Sequence, residues 1–286
     1  MTTAEPAALR CSGLVRIYRS PTGETHALRG VDAEFASGQL AGVLGPSGCG
    51  KSSLLAVLAL RERADGGDLQ LLGASTSGLS GARLRAVRRR DVSWVSQRPS
   101  RGLFPHLTAL EQVALAHRRR SGRPGPRADG PDGPFDPLAA LARVDLAERA
   151  RSLPVQLSGG EQQRLAVASA LVGGPRVVVA DEPTAELDDT STALVVGALT
   201  AAARAGACVV VATHDARLVQ GADRVLLMRH GVLATDREAG QEDTAVVDSA
   251  GRLQLPVEAL ELLAGGRARV RVFEDHVRLE PRGARP

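Results

Sequence analysis

A single lysine, Lys51, stands among 36 lysine and arginine residues, near the end of the run GPSGCGKS over residues 45–52. Every other basic position is arginine, so retention of a compact ammonium marks a site that a planar guanidinium does not suit. The spacing is G-x-x-x-x-G-K-[ST], a glycine-rich turn whose backbone N–H groups can point inward around phosphate oxygens. Gly45, Pro46, Ser47, Gly48, Cys49 and Gly50 would form the cradle, with Lys51 reaching the β- and γ-phosphates. Ser52 would offer its hydroxyl to Mg2+, and Ser53 continues into a helix whose first turn adds partial positive charge. An apolar run at 41–44 and a helical pattern over 52–60 supply the strand–turn–helix context that gives such a motif its meaning. These residues predict a nucleotide site.

Two acids end another apolar run, VVVAD followed by Glu182. Asp181 would hold Mg2+ because a hard cation wants oxygen ligands, and Glu182 could polarise an attacking water as general base. Residues 157–164 read LSGGEQQR, where Ser158, Gly159 and Gly160 precede a helix beginning near Glu161. That is a second helix start able to receive an anion. It is also an ordinary helix cap. Two phosphate-binding helix starts but one lysine suggest that two copies of the chain share each nucleotide.

The LSGGEQQR octet resembles the signature of ATP-binding cassette (ABC) ATPases, and the likeness covers roughly residues 9–237. The resemblance implies further roles. Gln97 matches a glutamine that contacts Mg2+ and the lytic water, and residues 185–188 (AELD) match the loop after the catalytic acids. His214 matches a histidine that contacts the γ-phosphate, and Tyr18, the only tyrosine, an aromatic that stacks on adenine. Catalysis would then fall to Glu182, His214 and Gln97, and metal binding to Ser52, Gln97 and Asp181. ATP would be bound by Tyr18, residues 45–53 and, from a second copy, Ser158 to Glu161.

The resemblance also implies an ATP-hydrolysing subunit that works as a head-to-tail dimer beneath a separate membrane permease. It would be cytoplasmic and peripheral on the inner face of the cell membrane. The alternative is a non-transport mechanical or regulatory ABC protein of the cell-division kind. Residues 25–55 and the segment DEPTAELD resemble the lipoprotein-release and macrolide-export group. The chain departs from that group in the long segment after Gln97, in an arginine-, proline- and glycine-rich loop at 121–137, and in length beyond about residue 235.

The elements that must position these residues follow from periodicity. Strand-like alternation covers 9–18 and 31–44, and short apolar runs at 92–95, 177–180, 208–212 and 224–228 predict strands. Helical patterns cover 52–60, 108–120, 138–150 and 160–172, the second opened by the capping pair Thr108 and Glu111. The expected fold is α/β. It is a P-loop NTPase with a RecA-like parallel sheet, an antiparallel β subdomain and an inserted α-helical subdomain at about 98–170. Residues 1–240 would form the nucleotide-binding domain and 241–286 a small β-rich module for dimerisation or regulation. That tail, with a hairpin expected over 270–279, resembles swapped-hairpin modules of the AbrB kind.

Composition narrows the rest. The chain of 286 residues is 43% hydrophobic and 24% charged, a globular balance, and its net charge of +4 is too small to imply nucleic acid. Five arginines at 118–127 have no interleaved aromatic for base stacking, so a solvated loop or membrane proximity is expected there and no nucleic acid. No apolar run approaches the ~20 residues that span a bilayer. Three scattered cysteines fit reduced thiols and exclude a disulfide-stapled secreted domain.

Overall fold

Parallel strands that are apolar on both faces need a covering layer on each side. In the computed structural model five such strands, ordered β9-β3-β8-β7-β6, form the centre of the molecule: β3 (Leu40–Leu44), β6 (Val92–Val95), β7 (Val177–Asp181), β8 (Cys208–Ala212) and β9 (Arg224–Arg229). The sheet is extended antiparallel by β10 (Val232–Glu238) and β11 (Thr244–Ala245). The structure describes residues 7–21, 23–121 and 135–240, and beyond these 244–248, 251–253, 255, 259, 261, 263, 268–273 and 276–281.

The alternation along β8 assigns the two faces. Cys208, Val210 and Ala212 point into one core with Leu54, Leu55 and Leu58 of α1 (Lys51–Leu58). Val209 and Val211 point into the other, against Val195, Leu199 and Ala203 of α6 (Asp189–Arg204). The first core is closed by a four-stranded antiparallel sheet ordered β2-β1-β4-β5, built from β1 (Ala7–Ser20), β2 (Gly23–Ala36), β4 (Gly66–Leu71) and β5 (Ala74–Ser75). Its anchor is Phe35, fully buried. A third core of Leu103, Val113, Leu141, Leu146 and Leu165 joins α3 (Ala109–Ser121), α4 (Pro137–Ala142) and α5 (Gly159–Leu171). Two further helices are α2 (Gly81–Asp91) and α7 (Ala216–Gln220). The α/β P-loop architecture expected from the sequence is therefore present.

Several boundaries differ from the sequence reading. The run 31–44 is two strands, because Gly38 turns at φ 76° between β2 and β3. The helix expected over 138–150 stops at Ala142; Asp145 adopts φ 55°, and the chain resumes only as a single 3-10 turn at Ala147–Arg149. The segment 138–150 carries the right apolar spacing, but its chain bends to seat Val144 and Leu146 in the helical core. The capping pair holds: Thr108 Oγ1 accepts from the Glu111 N–H, and Glu111 accepts from the Thr108 N–H at 2.8 Å.

Most of the loop at 121–137, with Arg123 and Arg127, lies outside the described residues, as does most of a helix expected at 256–263. The tail hairpin is present as β12 (Ala268–Val272) paired with β13 (Val277–Pro281). All three cysteines are buried and free, and burial pushes the Cys208 thiol up to about 12. Among the described residues no helix is long and apolar enough to cross a membrane.

Candidate nucleotide site

The loop after β3 packs so closely on its neighbours that two of its residues, Gly45 and Gly50, have no room for a side chain. A Cβ on Gly45 would sit 2.2 Å from the Met228 carbonyl oxygen, and one on Gly50 would sit 2.3 Å from the Ala27 carbonyl oxygen. Gly45, Gly48 and Gly50 all have positive φ, at 147°, 75° and 109°. Lys51 is only 8% exposed, and its ammonium donates to the carbonyls of Gly45 at 2.5 Å and Pro46 at 3.2 Å. The side chain thus lies along the inside of the loop.

Parallel register brings the acids opposite the histidine. Asp181 pairs with Ala212 at the ends of β7 and β8, so the residues that follow both strands emerge together. Glu182 then takes a left-handed conformation, φ 46°, with its N–H donating to the Ala212 carbonyl at 2.8 Å. Such a conformation costs about 1–3 kcal/mol for a non-glycine residue and marks a position fixed by its surroundings. The turn aims the carboxylate at His214. Glu182 Oε2 accepts from the His214 backbone N–H at 3.3 Å, and Oε1 lies 3.3 Å from the ring Nε2.

These groups border one cavity of about 1050 Å³. Its wall includes Ser47, Gly48, Gly50, Lys51, Ser52 and Ser53 from the loop, with Gln97, Asp181, Glu182 and His214 from the ends of the strands. Gly45, Pro46 and Cys49 are not on that wall; they back the loop, where the Cys49 carbonyl accepts from the Gly231 N–H at 2.9 Å. Tyr18 borders the cavity from β1, with the Arg16 guanidinium 4.6 Å from its ring centre and its hydroxyl donating to Glu62 at 2.7 Å.

Ser158, Gly159, Gly160 and Glu161 are not on the wall of this cavity. They form the N-terminus of α5 as a reciprocal cap: the Ser158 hydroxyl accepts from the Glu161 N–H at 3.2 Å, and the Glu161 carboxylate from the Ser158 N–H at 2.8 Å. That backbone hydrogen bond, helped by Arg149, holds the Glu161 carboxyl below its usual range. One helical turn further, Gln163 is 2% exposed and donates to the carbonyls of Pro183 at 3.0 Å and Ser96 at 3.3 Å. It ties α5 to the residues beside Glu182 and Gln97.

Sequence reasoning overlooked Thr25, His26 and Arg29 of β2 and His230, which also border the cavity. No motif flags them. The only local sign is structural, a φ of 48° at His230 in the turn between β9 and β10.

A phosphate-type loop on a parallel sheet, two acids at a strand end and a histidine against the second acid define an ATP-binding, ATP-hydrolysing P-loop enzyme. The sequence profile described as ABC transporter matches residues 28–185, and the chain belongs to that family. It is 40% identical over 226 residues to the lipoprotein-releasing system ATP-binding protein LolD of Maricaulis maris (strain MCS10), covering 79% of this chain and 95% of that one. It is 36% identical to the macrolide export ATP-binding/permease protein MacB of Rhodopseudomonas palustris (strain HaA2), matching 82% of this chain but spanning only 35% of MacB. Among solved structures it resembles the dimeric post-hydrolysis state of the ATP-binding cassette MJ0796 bound to ADP and Pi, with a TM-score of 0.71 and 28% identity over 82% of this chain and all of that one.

Proposed function

We propose that the chain is the ATP-driven subunit of a transporter whose membrane permease is a separate protein, and that it works as a head-to-tail dimer on the inner face of the membrane. The observation that carries this reading is the separation of two anion-binding helix starts. The one at Lys51 faces the cavity, and the one at Ser158 is off its wall. A second copy, turned head to tail, would bring its α5 N-terminus to the phosphate that Lys51 holds.

In this reading the Lys51 ammonium exchanges its loop carbonyls for phosphate oxygens, and Tyr18, backed by Arg16, offers its ring to the base. Glu182 takes a proton from the attacking water, held in place by its contacts to the N–H and ring of His214. His214, 61% exposed at its side chain, also has room to reach the terminal phosphate. Ser52, Gln97 and Asp181 place hard oxygen donors on one cavity wall, which fits a magnesium ion arriving with the nucleotide. Bound there, the ion would neutralise phosphate charge. We further assign residues 1–240 to the nucleotide-binding domain and 241–286 to a module that supports dimerisation or regulation.

Purification of the tagged chain from detergent-solubilised membranes of its own host tests the transport reading. The expected result is co-purification of an integral-membrane protein in fixed proportion, identified by mass spectrometry. Recovery from the soluble fraction alone, with no membrane protein attached, would favour a non-transport role.

A further inference from the structure

Beyond β10 the chain does not leave the nucleotide-binding body. Thr244 and Ala245 pair with Asp236 and Thr235, the Val246 N–H donates to the Ala234 carbonyl at 3.0 Å, and Val246 packs on the first core. A tight turn follows. Arg252 donates to Asp248 through its backbone N–H at 2.9 Å and its Nε at 2.6 Å, and the Asp248 N–H donates back to the Arg252 carbonyl at 3.0 Å.

This ion-paired turn fixes the Arg252 guanidinium, which donates to the Arg29 carbonyl on β2. Its seat exists because residue 30 is glycine: a Cβ there would lie 2.7 Å from the Arg252 Nη2. From Arg29 the hydrogen bonds run inward. The Arg29 N–H donates to the Gly231 carbonyl at 2.9 Å, and the Gly231 N–H to the Cys49 carbonyl at 2.9 Å, inside the phosphate-type loop. The same stretch of β2 wedges the Ala27 carbonyl against Gly50 and Gly231. Arg29 and its neighbour His26 are themselves part of the nucleotide cavity wall.

We propose that the Asp248–Arg252 turn is a clasp by which the C-terminal segment sets the geometry of the phosphate loop, with Arg252 as the positioning residue. Arg252 does not itself line the nucleotide cavity; it acts through the wall residue Arg29 and, beyond it, Gly231 and Cys49. Holding the loop in one arrangement before nucleotide arrives lowers the ordering cost of binding, so the clasp raises nucleotide affinity. It also gives the tail a physical route to the site. The inference rests on the nucleotide reading above.

Equilibrium titration of the full chain with a fluorescent ATP analogue tests it, alongside thermal unfolding and kcat. Because Arg252 is exposed, Arg252→Ala should fold normally. Its nucleotide Kd should rise about fivefold, the effect of losing roughly one net hydrogen bond. kcat at saturating nucleotide and melting temperature should stay at the wild-type values. Asp248→Asn, which leaves Arg252 intact but uncharged at its partner, should move Kd in the same direction by less. An unchanged or tighter Kd in Arg252→Ala would overturn the clasp, and so would a loss of affinity matched by a fall in melting temperature. Lys51→Ala serves as reference. If wild type binds, Lys51→Ala binds much more weakly and Arg252→Ala matches wild type, only the clasp is wrong. If wild type itself fails to bind, the nucleotide reading fails and the clasp falls with it.

Discussion

Lys51 occupies a slot 8% exposed between the Gly45 and Pro46 carbonyls, and the loop around it has no freedom to widen because glycine at 45 and 50 already touches neighbouring backbone. A guanidinium is broader and planar, with its charge spread over a fork. Lys51→Ala should weaken nucleotide binding by at least about tenfold, the scale of a charge-assisted hydrogen bond, and abolish hydrolysis. Lys51→Arg should hydrolyse little better than Lys51→Ala in a phosphate-release assay. Near-normal turnover in Lys51→Arg would remove the significance of the lone lysine. At this scale the sequence was informative because the loop chemistry is contiguous. The left-handed turn of Glu182 was not legible, since it arises from its hydrogen bond to Ala212, thirty residues on.

The N-terminus of α5 is where an element carries both stability and the proposed contact to a second copy. Its cap is complete, with Ser158 and Glu161 bonded reciprocally and Arg149 3.1 Å from the Glu161 carboxylate. Ser158→Ala should destabilise the fold by about 1 kcal/mol in urea unfolding, a normal capping loss. Glu161 has a folded pKa below its unfolded value, so its contribution is fully present above the unfolded value and disappears as pH falls through the folded one. The stability difference between wild type and Glu161→Gln should therefore be largest near neutral pH and shrink toward pH 3; a pH-independent difference would contradict the cap. Parallel strands at 177–180 and 208–212 are legible because burial on both faces leaves unbroken apolar runs. The end of α4 was not, because the bend at Asp145 serves packing of Val144 and Leu146, a tertiary demand with no local spacing signal. For the same reason His26, Arg29 and His230 escaped notice: they reach the cavity through pairing of β2 and the β9–β10 turn around the loop.

At the scale of the whole molecule, the proposed dimer draws on two surfaces. The tail hairpin aligns Val270 with Leu279 and Val272 with Val277, leaving Val270, Val272 and Val277 59%, 77% and 61% exposed on one face. If this face pairs with its counterpart, Val272→Glu should shift the nucleotide-free chain toward monomer in light scattering at several concentrations, without altering nucleotide affinity. An unchanged mass distribution would remove the dimer role from the hairpin. The other surface is the nucleotide site, which the proposed mechanism shares between two copies. Glu182→Gln keeps the size and hydrogen-bonding reach of the side chain but removes the base, so bound ATP should persist. The direct test is the mass of Glu182→Gln in solution with and without Mg-ATP, in a chain shortened to end at Gly240 so that the tail cannot itself hold copies together, beside the same chain carrying Ser158→Arg. Mg-ATP should raise the mass of Glu182→Gln to a dimer and leave the double variant at its nucleotide-free mass, although both bind ATP. A Glu182→Gln chain that binds ATP with no change of mass, or a double variant that dimerises equally well, would contradict a site shared between two copies.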